Sequence, residues 1–232
     1  MTYPRRTVIG VTDHQPTRLV LVRHGESVAT VNRFIGGFRT CTGLSDLGRQ
    51  QAERLRDRLA RTGEIAADHL YASNFARAIE TAEIIAPALG GLEVVAEPGF
   101  GEHDPGPDCD GMTFADFVDR FGSGHDWQNP FAESFPGGET IASFHHRVGA
   151  AAYGIVTRHA GETIVVSCHG GVVDALLRLF LRVPSTGGFE IRTTNTSLTE
   201  FLLAPSGLWQ MIRYNDSAHL AGLPIETERE AT

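Results

Sequence analysis

The chain has 232 residues, 41% of them hydrophobic, and a net charge of −8 at neutral pH. That length suits one substantial domain, and the acidic balance argues against non-specific nucleic-acid binding, which needs cations on phosphates. No apolar run approaches the roughly 20 residues of a membrane-spanning helix, the cysteines Cys41, Cys109 and Cys168 form no disulfide framework, and the absence of lysine removes Walker-type phosphate binding and Schiff-base chemistry.

Residues 1–16 are polar, lack an apolar signal core and read as a loose leader to a cytoplasmic protein. The run Leu19–Val22 reads as a strand buried on both faces of a parallel sheet, and it runs directly into Arg23-His24-Gly25. Residues 28–44 form a Gly-containing polar loop. Ser45 then caps a helix with Leu47, Ala52, Leu55 and Leu59 on one face, and Gly63 ends it. A second strand fits Asp68–Ala72. Ser73 or Asn74 caps the next helix, Ala76–Leu89, which stops near Pro87 and Gly90, and residues 92–96 make a third strand. From Glu97 to Gly138 the chain is rich in Gly, Pro and Asp, with one short helix over Phe114–Phe121, whose phenylalanines Phe114, Phe117 and Phe121 read as a packing stripe. This departure from the repeating pattern marks 98–140 as an inserted lid or specificity segment. A helix over Thr140–His159, a strand over Thr163–Ser167, a helix over Val172–Leu181 and a hairpin of Ser197–Leu203 with Leu208–Tyr214 complete the chain. Strands alternating with helices predict an α/β fold: a single-domain three-layer sandwich whose mainly parallel sheet carries helices on both faces.

Two segments share one grammar, an apolar strand followed by His-Gly: Val22-Arg23-His24-Gly25 and Ser167-Cys168-His169-Gly170. A third strand ends at Ala72 and feeds a helix whose first turn carries Arg77. If these strands are parallel, both histidines and both arginines meet at the carboxyl edge of the sheet, where open α/β sheets bind ligands. Two guanidinium groups suit the oxygens of a phosphoryl group. One imidazole can attack phosphorus, and the other, when protonated, can donate to the same oxygens. That scheme calls for no metal and no cofactor. The histidines form no HExxH pattern, and His145-His146 point to different sides of a helix. Cys168 lacks the arginine spacing of a cysteine phosphatase loop and reads as a small strand-end residue.

Arg23-His24-Gly25-Glu26-Ser27 resembles the RHGE[ST] signature of the histidine phosphatase superfamily, which includes the phosphoglycerate mutase-like proteins. Leu44–Ala52 is similar to its "LTxxGxxQA" helix start, Tyr71–Ala82 to its "SxLxRAxxTA" segment and Val165–Gly171 to its "VxHGG" segment; Asn195–Leu198 and Asn215–Leu220 resemble its closing strands. The resemblance implies that His24 is the nucleophile that becomes phosphorylated, and that Arg23, Arg77 and His169, with Gly170, complete the phosphate pocket. It implies an acidic proton donor after the third strand; Glu102 fits, and Asp104 is the alternative because that loop is Pro-rich. The family's usual Asn after the signature is Thr30 here, with Asn32 as its substitute in substrate binding. The loop 36–43 departs from the family pattern, and Arg33 and Arg39 are either substrate contacts or solvated surface cations. The expected activity is metal-independent hydrolysis of a small phosphomonoester through a phosphohistidine. The rivals are a cofactor-dependent phosphoglycerate mutase and a non-catalytic binder of a phosphorylated ligand. The expected partner is a small phosphorylated metabolite, with neither nucleic acid nor membrane, and a homodimer is compatible with this reading.

Overall fold

The computed structural model describes residues 15–122, 128–187 and 189–224. Apart from Gln15 and Pro16, the expected leader lies outside the described residues, as do residues 123–127 of the expected insertion. Six strands form one sheet: β1 (Thr17–Arg23), β2 (His69–Ala72), β3 (Val94–Ala96), β4 (Thr163–Cys168), β5 (Leu198–Leu203) and β6 (Trp209–Asp216), in the order β3-β2-β4-β1-β5-β6. The helices are α1 (Val28–Asn32), α2 (Asp46–Thr62), α3 (Ala76–Ile85), α4 (Gly106–Cys109), α5 (Phe114–Phe121), α6 (Ile141–Arg158) and α7 (Gly170–Leu181).

Strands β3, β2, β4 and β1 run parallel, and β5 is antiparallel to both of its neighbours. The apolar run in β1 explains the layering. Leu19 and Leu21 join a buried cluster with Phe144, Val148 and Ile155 of α6 and Val172 and Leu176 of α7. Val20 and Val22, on the other face, join Leu55 and Leu59 of α2 and Ala82 and Ile85 of α3. Alternating side chains therefore meet two cores, and helices cover both faces as the sequence predicts. The register pairs Arg23 with Cys168 and Ala72 with Ser167. Three strands thus end level, and the residues that follow them (His24, His169 and Ser73) leave the sheet side by side.

Several local readings are corrected. The loop 28–44 contains the short helix α1: Ser27 Oγ accepts from the Thr30 amide at 3.2 Å, and Arg33 closes the helix in a left-handed conformation. Its β-branched residues gave no helical signal. Helix α3 has Phe75 as its N-cap residue, with no side-chain cap bond, rather than Ser73 or Asn74. It tightens to a 3-10 turn at Ala86–Leu89, where Pro87 lacks the donor for an α-helical bond. Helix α7 begins at Gly170 rather than Val172. Strand β3 starts two residues later than expected, and α4 lies inside the inserted segment. Cys109 and Phe117 of that segment form a small cluster with Ile35 from the loop after α1, with Phe121 packed against it, while Phe114 is exposed. Ser45 and Gly63 cap α2 as read, and Thr140 caps α6.

The turn after β1 is fixed by a glycine–glycine contact. A Cβ on Gly25 would lie 2.4 Å from the Gly48 carbonyl oxygen, and one on Gly48 would lie 2.0 Å from the Glu26 carbonyl oxygen. Only two glycines allow α2 to come this close to the chain that carries His24. Glu26 accepts from Ser45 Oγ at 2.7 Å, and Gln51 Oε1 accepts from the Glu26 amide at 2.9 Å. The last two residues of the signature thus build the turn: Glu26 ties it to α2 and Ser27 caps α1.

A network of three arginines and three carboxylates joins α2 to β1, β5 and β6. Arg58 donates to Glu64 at 2.7 Å and to Asp216 at 2.6 Å, Arg213 donates to Glu64 at 2.6 Å and Glu200 at 2.8 Å, and Arg18 holds the other side of Glu200. Burial raises Glu64, but hydrogen bonds from Arg58 and Arg213 outweigh it and hold the carboxyl at about 2. Hydrogen bonds from Arg58 hold Asp216 below the usual carboxylate range as well. A carboxyl whose folded value lies below its unfolded value stabilises the fold fully above the unfolded value. That contribution is lost as pH falls from about 4.5 towards the folded value. Urea midpoints measured between about pH 5 and pH 2 should therefore fall more steeply for the wild type than for Arg213→Met. Equal slopes would rule out a contribution from the network.

Candidate active site

The pocket is built from the three level strand ends. His24 is 5% exposed, and its Nδ1 lies 2.6 Å from the Gly25 carbonyl oxygen. A carbonyl can only accept, so Nδ1 carries the ring proton and Nε2 keeps its lone pair. Arg77, on the first turn of α3, points its Nε at that lone pair from 3.1 Å and at Nδ1 of His169 from 3.3 Å. Arg77 can only donate, so His169 Nδ1 accepts and its Nε2–H donates to Ser73 Oγ at 2.8 Å. The two imidazole centroids lie 5.0 Å apart, edge to face. Arg77 is itself 5% exposed, donates to the Gly36 carbonyl oxygen at 3.2 Å and stacks on Phe75. Among the described residues no carboxylate forms a salt bridge with it.

Electrostatics follow from this packing. Burial first, then Arg77 and Arg23, hold His24 well below its ordinary value. Burial, Arg77, His24 and Arg23 do the same to His169. Both rings are neutral at neutral pH, and the positive charge at the site belongs to arginine. Arg23 leaves β1 beside them, donates to the Thr193 carbonyl oxygen and approaches Gly170 at the start of α7. Burial pushes the Cys168 thiol far up, so it is no thiolate nucleophile.

Glu102, in the loop after β3, is held at the start of α7. Its Oε2 accepts from the Gly171 amide at 3.1 Å and its Oε1 from the His103 amide at 2.9 Å. This places the carboxyl group at the N-terminus of α7, two residues along the chain from His169. A Cβ on Gly171 would lie 2.2 Å from Glu102 Oε1, so the glycine makes room for the carboxylate. Asp104 is exposed and turns its carboxylate to the Gly106 amide at 2.9 Å.

Residues 19–217 match the histidine phosphatase superfamily (branch 1). The chain belongs to that superfamily. It is 34% identical to phosphoglycerate mutase-like protein 4 of Arabidopsis thaliana, over 87% of this chain and 86% of that protein. Among solved structures it is similar to YhfR of Bacillus stearothermophilus, with a TM-score of 0.76 and 32% identity over 88% of this chain and 99% of the other. It is also similar to a mycobacterial glucosyl-3-phosphoglycerate phosphatase solved with VO3, with a TM-score of 0.69 and 25% identity over 86% of this chain and 99% of the other. These matches agree with the phosphoglycerate mutase-like sandwich described above.

In this member of the superfamily the structure brings together His24, Arg77 and His169 by direct contact, with Arg23 and Gly170 beside them and Glu102 held at Gly171. It does not bring in Asn32, which is exposed at the end of α1 with no hydrogen bond to these residues. Thr30 serves the cap of α1. Arg33 is exposed, and Arg39 pairs with Asp110 at 3.6 Å and donates to the Pro107 carbonyl oxygen.

Three supporting residues were missed. Ser73 was read as a helix cap and instead holds His169; it lies inside the quoted Tyr71–Ala82 segment, which was the available signal. Asn195 is buried and donates to the His24 carbonyl oxygen at 2.9 Å. Arg147 of α6 donates to the carbonyl oxygens of Gly99 (3.1 Å), Gly101 (3.0 Å) and Glu102 (3.2 Å), and to Glu139 at 2.7 Å. An arginine in mid-helix carries no local sign of such a clamp. Two cavities meet at Glu102. One, of about 370 Å³, lies beside Phe38, Phe75, Glu139 and Arg147. The other, of about 540 Å³, lies between Phe135, Phe144, Asp174, Phe189 and Glu190.

Arg77→Met removes a cation from both imidazoles, and loss of a nearby positive charge favours the protonated ring. Long-range ¹H–¹⁵N NMR should show both rings titrating well below 6.5 in the wild type and closer to 6.5 in Arg77→Met. Unchanged midpoints would mean that Arg77 does not set their charge state.

Proposed function

We propose that this chain is a metal-independent cytoplasmic phosphatase, hydrolysing a small phosphomonoester through phosphohistidine at His24. The observation that carries this reading is the arrangement of His24: neutral, protonated on Nδ1, with the Nε2 lone pair aimed at a buried arginine that has no carboxylate partner among the described residues. A phosphoryl dianion supplies a countercharge to Arg77, and its oxygens take over the donors now spent on the imidazoles. Its negative charge also favours the protonated form of His169, whose Nδ1 then donates to the same oxygens.

In the first half-reaction His24 Nε2 forms a bond to phosphorus, the P–O bond to the alcohol breaks, and Glu102 protonates the leaving oxygen. In the second, Glu102 takes a proton from water, water oxygen bonds to phosphorus, and the P–N bond breaks to free His24. The fixed guanidinium groups stabilise the charge on the phosphoryl oxygens in both steps. The contact of Glu102 with Gly171 supports Glu102 over Asp104 as the donor.

The mutase-like name of the Arabidopsis relative favours a second reading, a phosphoglycerate mutase. A mutase must hold a second phosphate, and the walls of the cavities argue against that. Segment 98–140 has one arginine, Arg120, which stacks on Phe121. The larger cavity presents Asp174 and Glu190, and its arginine, Arg178, is bound to Asp174 at 2.8 Å. Its apolar residues suit a leaving alcohol with an apolar part.

Hydrolysis of p-nitrophenyl phosphate should survive EDTA, be inhibited by vanadate and fall by about 10³-fold or more in His24→Ala. Glu102→Gln should lower turnover by roughly 10²- to 10⁴-fold. Undiminished activity in His24→Ala would end this reading. With 3-phosphoglycerate and a trace of 2,3-bisphosphoglycerate, formation of 2-phosphoglycerate without inorganic phosphate would establish the mutase instead. In Arg147→Met the segment carrying Glu102 loses its clamp, so kcat should drop by roughly 10- to 100-fold while KM stays near the wild-type value. An equal rise in KM would place Arg147 in substrate binding.

A further inference from the structure

At the other end of the sheet, three side chains that play no part in the pocket converge. His69 opens β2, His159 ends α6, and Glu162 lies in the turn just before β4. Glu162 Oε2 lies 2.7 Å from His69 Nε2 and 3.2 Å from His159 Nδ1, and the three atoms all lie within 4.8 Å of one another. We propose that His69, His159 and Glu162 form a binding site for a divalent transition metal, with Zn²⁺ the ion they suit best.

The chemistry of the donor set selects the ion. Two imidazole nitrogens and one carboxylate oxygen match Zn²⁺ and its neighbours in the first transition row, whereas Mg²⁺ and Ca²⁺ prefer oxygen ligands. Zinc bonds of about 2.0–2.2 Å put the ligand atoms of a tetrahedron roughly 3.3 Å apart. The observed separations require only small side-chain rotations to reach that. Three protein ligands leave a fourth position for water, and Glu162 is exposed enough to admit an ion.

The surroundings hold the ligands in place. Asp68 Oδ2 accepts from the Thr163 amide at 2.8 Å, and the Asp68 amide donates to the Thr163 carbonyl oxygen at 2.9 Å, which fixes His69 and Glu162 on adjacent strand starts. The Glu162 amide donates to the His159 carbonyl oxygen at 3.2 Å, closing the turn between them. The two imidazoles are stacked with centroids 3.6 Å apart. Tyr71 OH lies 2.8 Å from His159 Nε2. A ligating histidine characteristically uses its second nitrogen to bond an outer partner that orients the ring. With Nε2–H donating to Tyr71, the His159 Nδ1 lone pair is open to a metal.

The site is separate from the phosphate pocket. The six residues of β4 separate Glu162 from His169, and at about 3.3 Å per residue that is roughly 20 Å. A metal here would cross-link β2, α6 and the start of β4 without touching the reaction, so chelation that spares the phosphatase is compatible with a bound ion. Ligand positions 69, 159 and 162 lie too far apart along the chain to form a short motif, so no metal signal is readable from the residues alone.

Isothermal titration of the EDTA-treated full-length protein with ZnCl₂ tests this, with MgCl₂ as the control. The expected result is one equivalent of Zn²⁺ bound with a micromolar or tighter Kd, no Mg²⁺ binding, and a melting temperature raised by Zn²⁺. In His69→Ala and Glu162→Gln, each checked for folding by circular dichroism, affinity should fall at least tenfold and the melting shift should vanish. Absence of saturable Zn²⁺ binding by the wild type would overturn the proposal. So would binding that survives both variants, or binding that is lost in His24→Ala instead.

Discussion

The site depends on one electrostatic constraint: a buried guanidinium wedged between two imidazoles that its own charge helps keep neutral. Arg77 is nearly inaccessible and lacks an acidic partner among the described residues. A buried charge without a partner is costly, and removing solvent makes it act strongly on its neighbours. The rest of the fold has to tolerate that cost in a fixed place. Phe75 lies under the guanidinium, the Gly36 carbonyl oxygen takes one of its N–H groups, and the parallel pairing of β1, β4 and β2 holds His24, His169 and Ser73 around it.

Support for the pocket comes from two directions. On one side the glycine contact between the turn after β1 and α2 leaves no freedom for the backbone that presents His24. On the other, Arg147 gathers a row of carbonyl oxygens and so sets where Glu102 meets the first amides of α7. Neither support touches the space between His24 and Arg77. This division assigns rigidity to backbone contacts at the margins and leaves the charged side chains at the centre free to exchange partners.

Much of this was legible in the sequence because it is local. An apolar run followed by Arg-His-Gly announces a buried strand and its exit. Ser45 and Gly63 mark helix ends through hydrogen bonds formed within three or four residues. The equivalence of His24 and His169 followed from their shared strand-then-His-Gly pattern. What stayed hidden depends on contacts far apart in sequence. Ser73 looked like a cap because serine commonly is one, and only the position of β4 makes it a partner of His169. Asn195 and Arg147 contact backbone, which leaves no pattern in side-chain chemistry. Asn32 was placed by analogy, and the short helix turns it outward. Helix α7 starts two residues earlier than expected, and the second of its opening glycines, Gly171, makes room for the Glu102 carboxylate.

One buried carboxylate couples the two irregular parts of the chain. Asp110 accepts from the amides of Gly37 (3.0 Å) and Arg39 (2.9 Å) and from the Thr40 hydroxyl, while the Ile35 amide bonds the Met112 carbonyl oxygen at 2.7 Å. The loop after α1 and the segment around α4 and α5 are therefore tied together as one unit. Grafting either half alone onto a relative would strand Asp110 without its donors. Inherited together, the halves can change length and shape as a unit, so selection for new substrates can rebuild the rim while the arginine and its two histidines stay as they are.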